Sequence, residues 1–94
     1  KKFDLVIIFR YLHRPLLGRL ASLLYDNGIL IYKTFAEGNE KYGSPKSKKY
    51  LLKTKELLKL ETPELKILKF NEDLTKINGN KKKMQTAIFK KIKN

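Results

Sequence analysis

Apolar residues fall along the 94-residue chain in blocks whose period changes. Phe3-Asp4-Leu5-Val6-Ile7-Ile8-Phe9 shows no period-two alternation, as a strand covered on both faces inside a parallel sheet would read. Leu16, Leu17, Leu20, Leu23 and Leu24 then recur at helical spacing behind Pro15, with Ala21 completing the face. They predict an amphipathic helix that stops at Asn27-Gly28, where Gly supplies the left-handed residue after a helix end. Ile29-Leu30-Ile31-Tyr32 starts a second strand ending near Phe35. Strand, helix and strand make a βαβ unit. If its strands are parallel, both C-termini open onto one edge of the sheet, where ligands bind in open α/β folds.

Two connections belong to that edge. One is the short Arg10-Tyr11-Leu12-His13-Arg14 segment. The other is a loop from Ala36 to about Tyr50 carrying Gly38, Gly43 and Pro45. It has no helical or strand period and exceeds the usual two to six residues, so its position argues for function. Beyond it, Leu52 to Leu60 reads as a helix, with Thr54 as N-cap and Glu56 in the first turn, ended by Thr62-Pro63. Leu65, Ile67, Leu68 and Phe70 predict a strand in which Lys66 and Lys69 would protect a sheet edge. Asn78-Gly79-Asn80 is a turn signal and Met84 to Ile92 a final strand, so the C-terminus reads as an antiparallel hairpin with a long turn.

The composition narrows the chemistry. Ninety-four residues make one domain at most, with a thin core. There is no Cys and a single His, His13, which leaves no thiolate or imidazole cluster for zinc and no Cys nucleophile. The longest apolar run, Leu5 to Phe9, is far short of the roughly 18 residues of a membrane span or the about 7 of a signal sequence. A cytoplasmic protein without membrane partners is expected. The first residue is Lys and a strand begins two residues later, which suggests a fragment.

The 22 Lys and Arg against 9 Asp and Glu give a net charge of +13 and invite a nucleic-acid reading. However, 19 of those cations are Lys and 3 are Arg, whereas base and phosphate recognition favours the Arg fork. Lys, Asn and Ile account for 33 residues, a bias that AT-rich coding also produces.

Phe-Asp-Leu-Val-Ile-Ile at 3 to 8, Tyr11-Leu12-His13-Arg14-Pro15, the Leu-rich segment, Asn27-Gly28-Ile29-Leu30-Ile31-Tyr32 and Thr34-Phe35 together resemble the C-terminal half of a class I S-adenosylmethionine-dependent methyltransferase. Gly38-Asn39-Glu40, Tyr42-Gly43-Ser44-Pro45, Tyr50-Leu51-Leu52 and Glu56-Leu57-Leu58 are similar to the tellurite-resistance-type and type-11 members. The resemblance implies an α/β, Rossmann-like sheet of order 3-2-1-4-5-7-6 with strand 7 antiparallel. Residues 3 to 9 would be strand 4, residues 28 to 35 strand 5, and the last two strands 6 and 7. The chain, residues 1 to 94, would be the C-terminal part of a single domain whose N-terminal half, with the Gly-rich loop and the ribose-binding acid, is missing. Tyr25-Asp26-Asn27-Gly28 stands where relatives have Pro-Gly-Gly.

The implied chemistry is methyl transfer to a small-molecule acceptor, an in-line displacement needing alignment and exclusion of water. The resemblance implies that the backbone around Phe9 and Arg10 passes beside the methionyl part of S-adenosylmethionine, while Tyr11, His13 and the Thr34 to Tyr42 segment face the acceptor. His13 is the sole candidate general base; a lone His before a helix is also a common cap. Tyr11 can equally pack on the helix. Asn39, beside Gly38, is a candidate to hold a substrate polar group, whereas Glu37 and Glu40 read as solvated partners of lysines and no metal is expected. Tyr32 and Phe35 fit core or pocket wall alike. Two other classes stay in view: a small basic RNA-binding or RNA-modifying module, which the lack of aromatics interleaved with basic residues disfavours, and a fragment with no chemistry that serves as a binding partner.

Overall fold

The computed structural model describes residues 1–93. Four strands, β1 (Phe3–Phe9), β2 (Leu24–Phe35), β3 (Leu65–Ile77) and β4 (Asn80–Lys91), form one mixed sheet in the order β1-β2-β4-β3. β1 and β2 are parallel, with Ile7 opposite Ile31, and β4 runs antiparallel to both β2 and β3. With β1 as strand 4, this is the 4-5-7-6 end of the expected sheet. β1 therefore lies at an edge.

The βαβ helix is absent as such. The connection holds one turn of α-helix, α1 (Arg14–Leu17), and a 3-10 segment, Leu20–Leu23. The reason is length. A crossover must climb onto the face of the sheet, run back along β1 for about 23 Å at strand rise and descend again. A ten-residue helix within residues 10–23 would advance about 15 Å and leave about four residues for the rest of the path and both ends. Looser turns reach further per residue. The apolar positions keep their purpose in the changed conformation: Leu20 and Leu24 are buried, and Leu16, Leu17, Ala21 and Leu23 pack against the same core.

Asn27-Gly28 likewise sits inside β2 rather than ending a helix. β2 starts at Leu24, and its pairing with β1 jumps between Phe3 opposite Leu24 and Leu5 opposite Ile29. Asn27 takes up the irregularity at φ 69°, and a Cβ on Gly28 would lie 2.8 Å from the Tyr25 carbonyl oxygen, with those of Phe3 and Asp4 close behind. Only glycine fits there.

The second expected helix is a 3-10 segment, Glu56–Leu60, entered through Lys55 at φ 59° instead of a Thr54 cap. The hairpin turn is tight, not long. Ile77 pairs with Asn80 across Asn78-Gly79, both at positive φ, so β3 and β4 extend well beyond the apolar stretches that announced them. β3 is the other edge, and Lys66 and Lys69 on it are exposed.

One face of the sheet is covered, and the other is open except near the end of β2, where Met84 opposite Phe35 is fully buried. Leu30, Tyr32, Thr34, Gln85, Ala87 and Phe89 are buried beneath Leu20, Leu52 and Leu57 from the connecting segments, with Leu24 at the start of β2 in the same core. Gln85 ties this layer down: its Nε2 donates to the Lys53 carbonyl at 2.6 Å and its Oε1 accepts from the Leu57 N–H at 3.1 Å. The Lys91 Nζ donates to the carbonyls of Ala21 and Leu24.

Candidate functional site

The C-terminal ends of β1 and β2 open onto a cleft of about 450 Å³, lined by Arg10, Leu12, Thr34, Phe35, Ser44, Pro45 and Tyr50. The sheet builds it. The Arg10 N–H donates to the Lys33 carbonyl at 2.9 Å, so the chain leaves β1 still paired to β2, and Arg10 then turns away at φ 58°. Across the gap, loop 36–50 supplies Ser44, Pro45 and Tyr50. Its far end is pinned to β2 where the Leu52 N–H bonds the Phe35 carbonyl and the Glu37 N–H bonds that of Leu52.

A smaller hollow of about 270 Å³ adjoins the first and shares its Leu12 and Tyr50 wall; His13, Arg14 and Lys49 complete it. Arg14 closes its floor from below. The guanidinium grips Glu56 with Nε on Oε2 and Nη2 on Oε1, both at 3.0 Å, and Nη2 also donates to the Leu51 carbonyl. Burial pushes the Glu56 carboxyl up, but the Arg14 bonds and the Lys53 N–H outweigh it and hold the group below its ordinary range. In return the Glu56 bond raises Arg14. Tyr32 links the sheet to the first connection, since its hydroxyl donates to the Tyr11 carbonyl at 2.7 Å. Burial pushes its phenol up to about 12, with the Tyr11 phenol adding to the shift.

The sequence-derived candidates divide. Arg10 and Thr34 line the larger cleft and His13 the smaller one. Phe9 is half exposed under the Arg10 guanidinium, whose carbon lies 4.9 Å from the ring centroid. Tyr11 is exposed, with its ring 6.5 Å from that of His13. His13 occupies the cap position of α1 without making a side-chain capping bond.

Asn39 corrects the expectation placed on it. It is fully buried, its Nδ2 donates to the Pro45 carbonyl and its Oδ1 accepts from the Lys83 N–H, so both ends of the amide are spent fastening the loop to β4. Tyr42 is partly exposed and does not line the cleft. Glu40 accepts from the Gly38 N–H, and backbone hydrogen bonds lower its carboxyl. Among the described residues no group of three or more His, Cys, Asp or Glu could hold a metal ion, and no helix is long and apolar enough to cross a membrane.

The Arg14–Glu56 grip and the Leu12–Tyr50 wall were not singled out from the sequence. Two of the chain's 3 arginines flank the first connection, and that was the available signal.

Comparison with known proteins decides the architecture. The structure superposes on the N-methyltransferase NodS from Bradyrhizobium japonicum with a TM-score of 0.69 at 12% identity, covering 99% of this chain and 53% of that one. The fold is methyltransferase-like. A SAM-dependent methyltransferase from Methanosarcina mazei matches equally, with a TM-score of 0.69, 15% identity, and coverage of 99% of this chain and 61% of that one. The chain thus spans between half and two thirds of the solved structures it matches. No protein-family model and no curated protein matches its sequence.

Proposed function

We propose that the chain is the C-terminal, acceptor-side part of an S-adenosylmethionine-dependent methyltransferase that acts on a small molecule. The observation that carries this reading is the cleft at the paired C-termini of two parallel strands, in a sheet whose β1-β2-β4-β3 order matches part of the methyltransferase fold. S-adenosylmethionine supplies an electrophilic methyl group. The residues here fit one end of it: the Phe9–Arg10 exit from β1 can lie beside the methionyl portion. No carboxylate lines the cleft, so an acceptor for the ribose hydroxyls has to come from the remainder of the enzyme.

In this reading Leu12, Phe35, Pro45 and Tyr50 exclude water, and Thr34 orients the acceptor from the sheet side. His13 takes the proton lost by the acceptor, a role its ring is free to serve because it caps nothing. Tyr11 stands at the entrance beside it. Asn39 and Tyr42 act through the loop's shape and not by touching the acceptor.

Calorimetric titration with S-adenosylmethionine tests the reading on two proteins, the complete one and the 94-residue chain. Binding by the complete protein with negligible binding by the chain is expected; micromolar binding by the isolated chain overturns the division of the site. The RNA alternative is tested in parallel. Tight RNA binding that collapses between low and physiological salt would replace the small-molecule reading.

A further inference from the structure

The two adjoining hollows carry charge of one sign. No aspartate or glutamate lines either of them, while Arg10, Arg14 and Lys49 do, with His13 beside them. Arg14 is matched by Glu56, and among the described residues that is the one ion pair. Arg10 and Lys49 have no carboxylate partner there.

Arg10 holds a left-handed backbone conformation that disfavours a side chain with a Cβ, at a corner where Gly or Asn would turn the chain more easily. Its side chain is laid against the Phe9 ring instead of swinging free. The Lys49 Nζ lies 5.0 Å from the centroid of the Tyr50 ring. Both cations are thus arranged along aromatic rings, Arg10 in the cleft walled by Leu12, Phe35 and Pro45 and Lys49 in the adjoining hollow that shares Leu12 and Tyr50 with it.

We propose that the two adjoining hollows together take an anionic acceptor: a small molecule with an apolar or aromatic body and a carboxylate that Arg10 and Lys49, one from each hollow, bind. The word acceptor rests on the methyl-transfer reading; the anion site rests on the hollows alone. The methionyl end of S-adenosylmethionine also carries a carboxylate, so the test separates the two sources.

Benzoate and its neutral counterpart benzamide are titrated calorimetrically into the complete protein, with and without saturating S-adenosylmethionine. Benzoate is expected to bind at least about tenfold more tightly than benzamide in the presence of the cofactor, the scale of a charge-assisted hydrogen bond. Arg10→Met should abolish that preference and Arg10→Lys restore part of it. Lys49→Met, on an exposed loop where it cannot disturb the fold, should lower it about threefold. Equal affinity for the two probes, or a preference that survives both methionine substitutions, overturns the proposal. Displacement of benzoate by the cofactor assigns the charge to the cofactor's carboxylate and overturns the acceptor site. A protein that binds no S-adenosylmethionine yet keeps the benzoate preference, and loses it in Arg10→Met, removes the methyl-transfer reading and leaves the anion site standing.

Discussion

The two faces of the sheet use the same strands and obey different rules. On the covered face, Leu30 meets Phe89 and Tyr32 meets Ala87 across the β2–β4 ladder, all fully buried. On the other face the register sets out three rows running from β1 to β3: Leu5, Ile29, Lys90, Lys66; then Ile7, Ile31, Ile88, Lys69; then Phe9, Lys33, Thr86, Asn71. Apolar side chains gather at the β1 end and lysines at the β3 end. Ile7 is 62% exposed and Phe9 50%. Burial, not composition, separates the faces, because Ile and Leu occur on both. What the difference teaches is that the chain's own connections satisfy one face, while the other keeps the surface by which an edge strand and its neighbours would join more polypeptide.

Substitutions across the two faces sharpen the contrast. Phe89→Ala should cost about 3 to 5 kcal/mol in denaturant melts, whereas Ile7→Ser should change stability by less than about 0.5 kcal/mol and reduce self-association in sedimentation. A comparable loss from both would mean that the exposed face is covered in solution. Gln85→Ala should cost about 1 to 3 kcal/mol, because it strands the Lys53 carbonyl and the Leu57 N–H, while its neighbour Thr86→Ala on the open face should be near neutral.

The third test is alkaline. Tyr32 has a folded pKa raised from 10.0 to about 12, so its contribution to stability is complete below the unfolded value and is lost as pH rises through the folded one. Stability should therefore fall between about pH 10 and pH 12, and Tyr32→Phe should flatten that limb while lowering stability at neutral pH by about 1 kcal/mol for the lost hydrogen bond. The smallest effect is a gain. Lys66 stands directly opposite Lys90, and Lys66→Glu should add a few tenths of a kcal/mol, read as a small rise in melting temperature that salt erases.

Strand identity was legible because it rests on apolar runs and on the Asn78-Gly79 signal, which survive any change in the connections, whereas the strand order was implied only by the methyltransferase resemblance. The helices were not, since periodicity at Leu16 to Leu24 reports which residues face the core and says little about conformation when the crossover is too short to wind. Leu20 and Leu24 are buried as the pattern required, on a backbone it did not foresee. At the site, Arg10 and Thr34 line the larger cleft and His13 the smaller hollow because the sheet edge fixes where these segments emerge. Asn39 was read as a ligand contact because its neighbour Gly38 promised access. Nothing local reveals that its amide spans from Pro45 to β4, 44 residues away along the chain.

The β1-β2-β4-β3 order also governs how the protein can emerge from a ribosome. Of the four strands, the one that comes latest in the sequence is one of the two in the middle of the sheet, so β2 lacks one neighbour and β3 lacks its only one until β4 has been made. Nascent chains stopped short of Asn80 should stay as sensitive to protease as unfolded ones, and protection should arrive in a single step once β4 clears the exit tunnel.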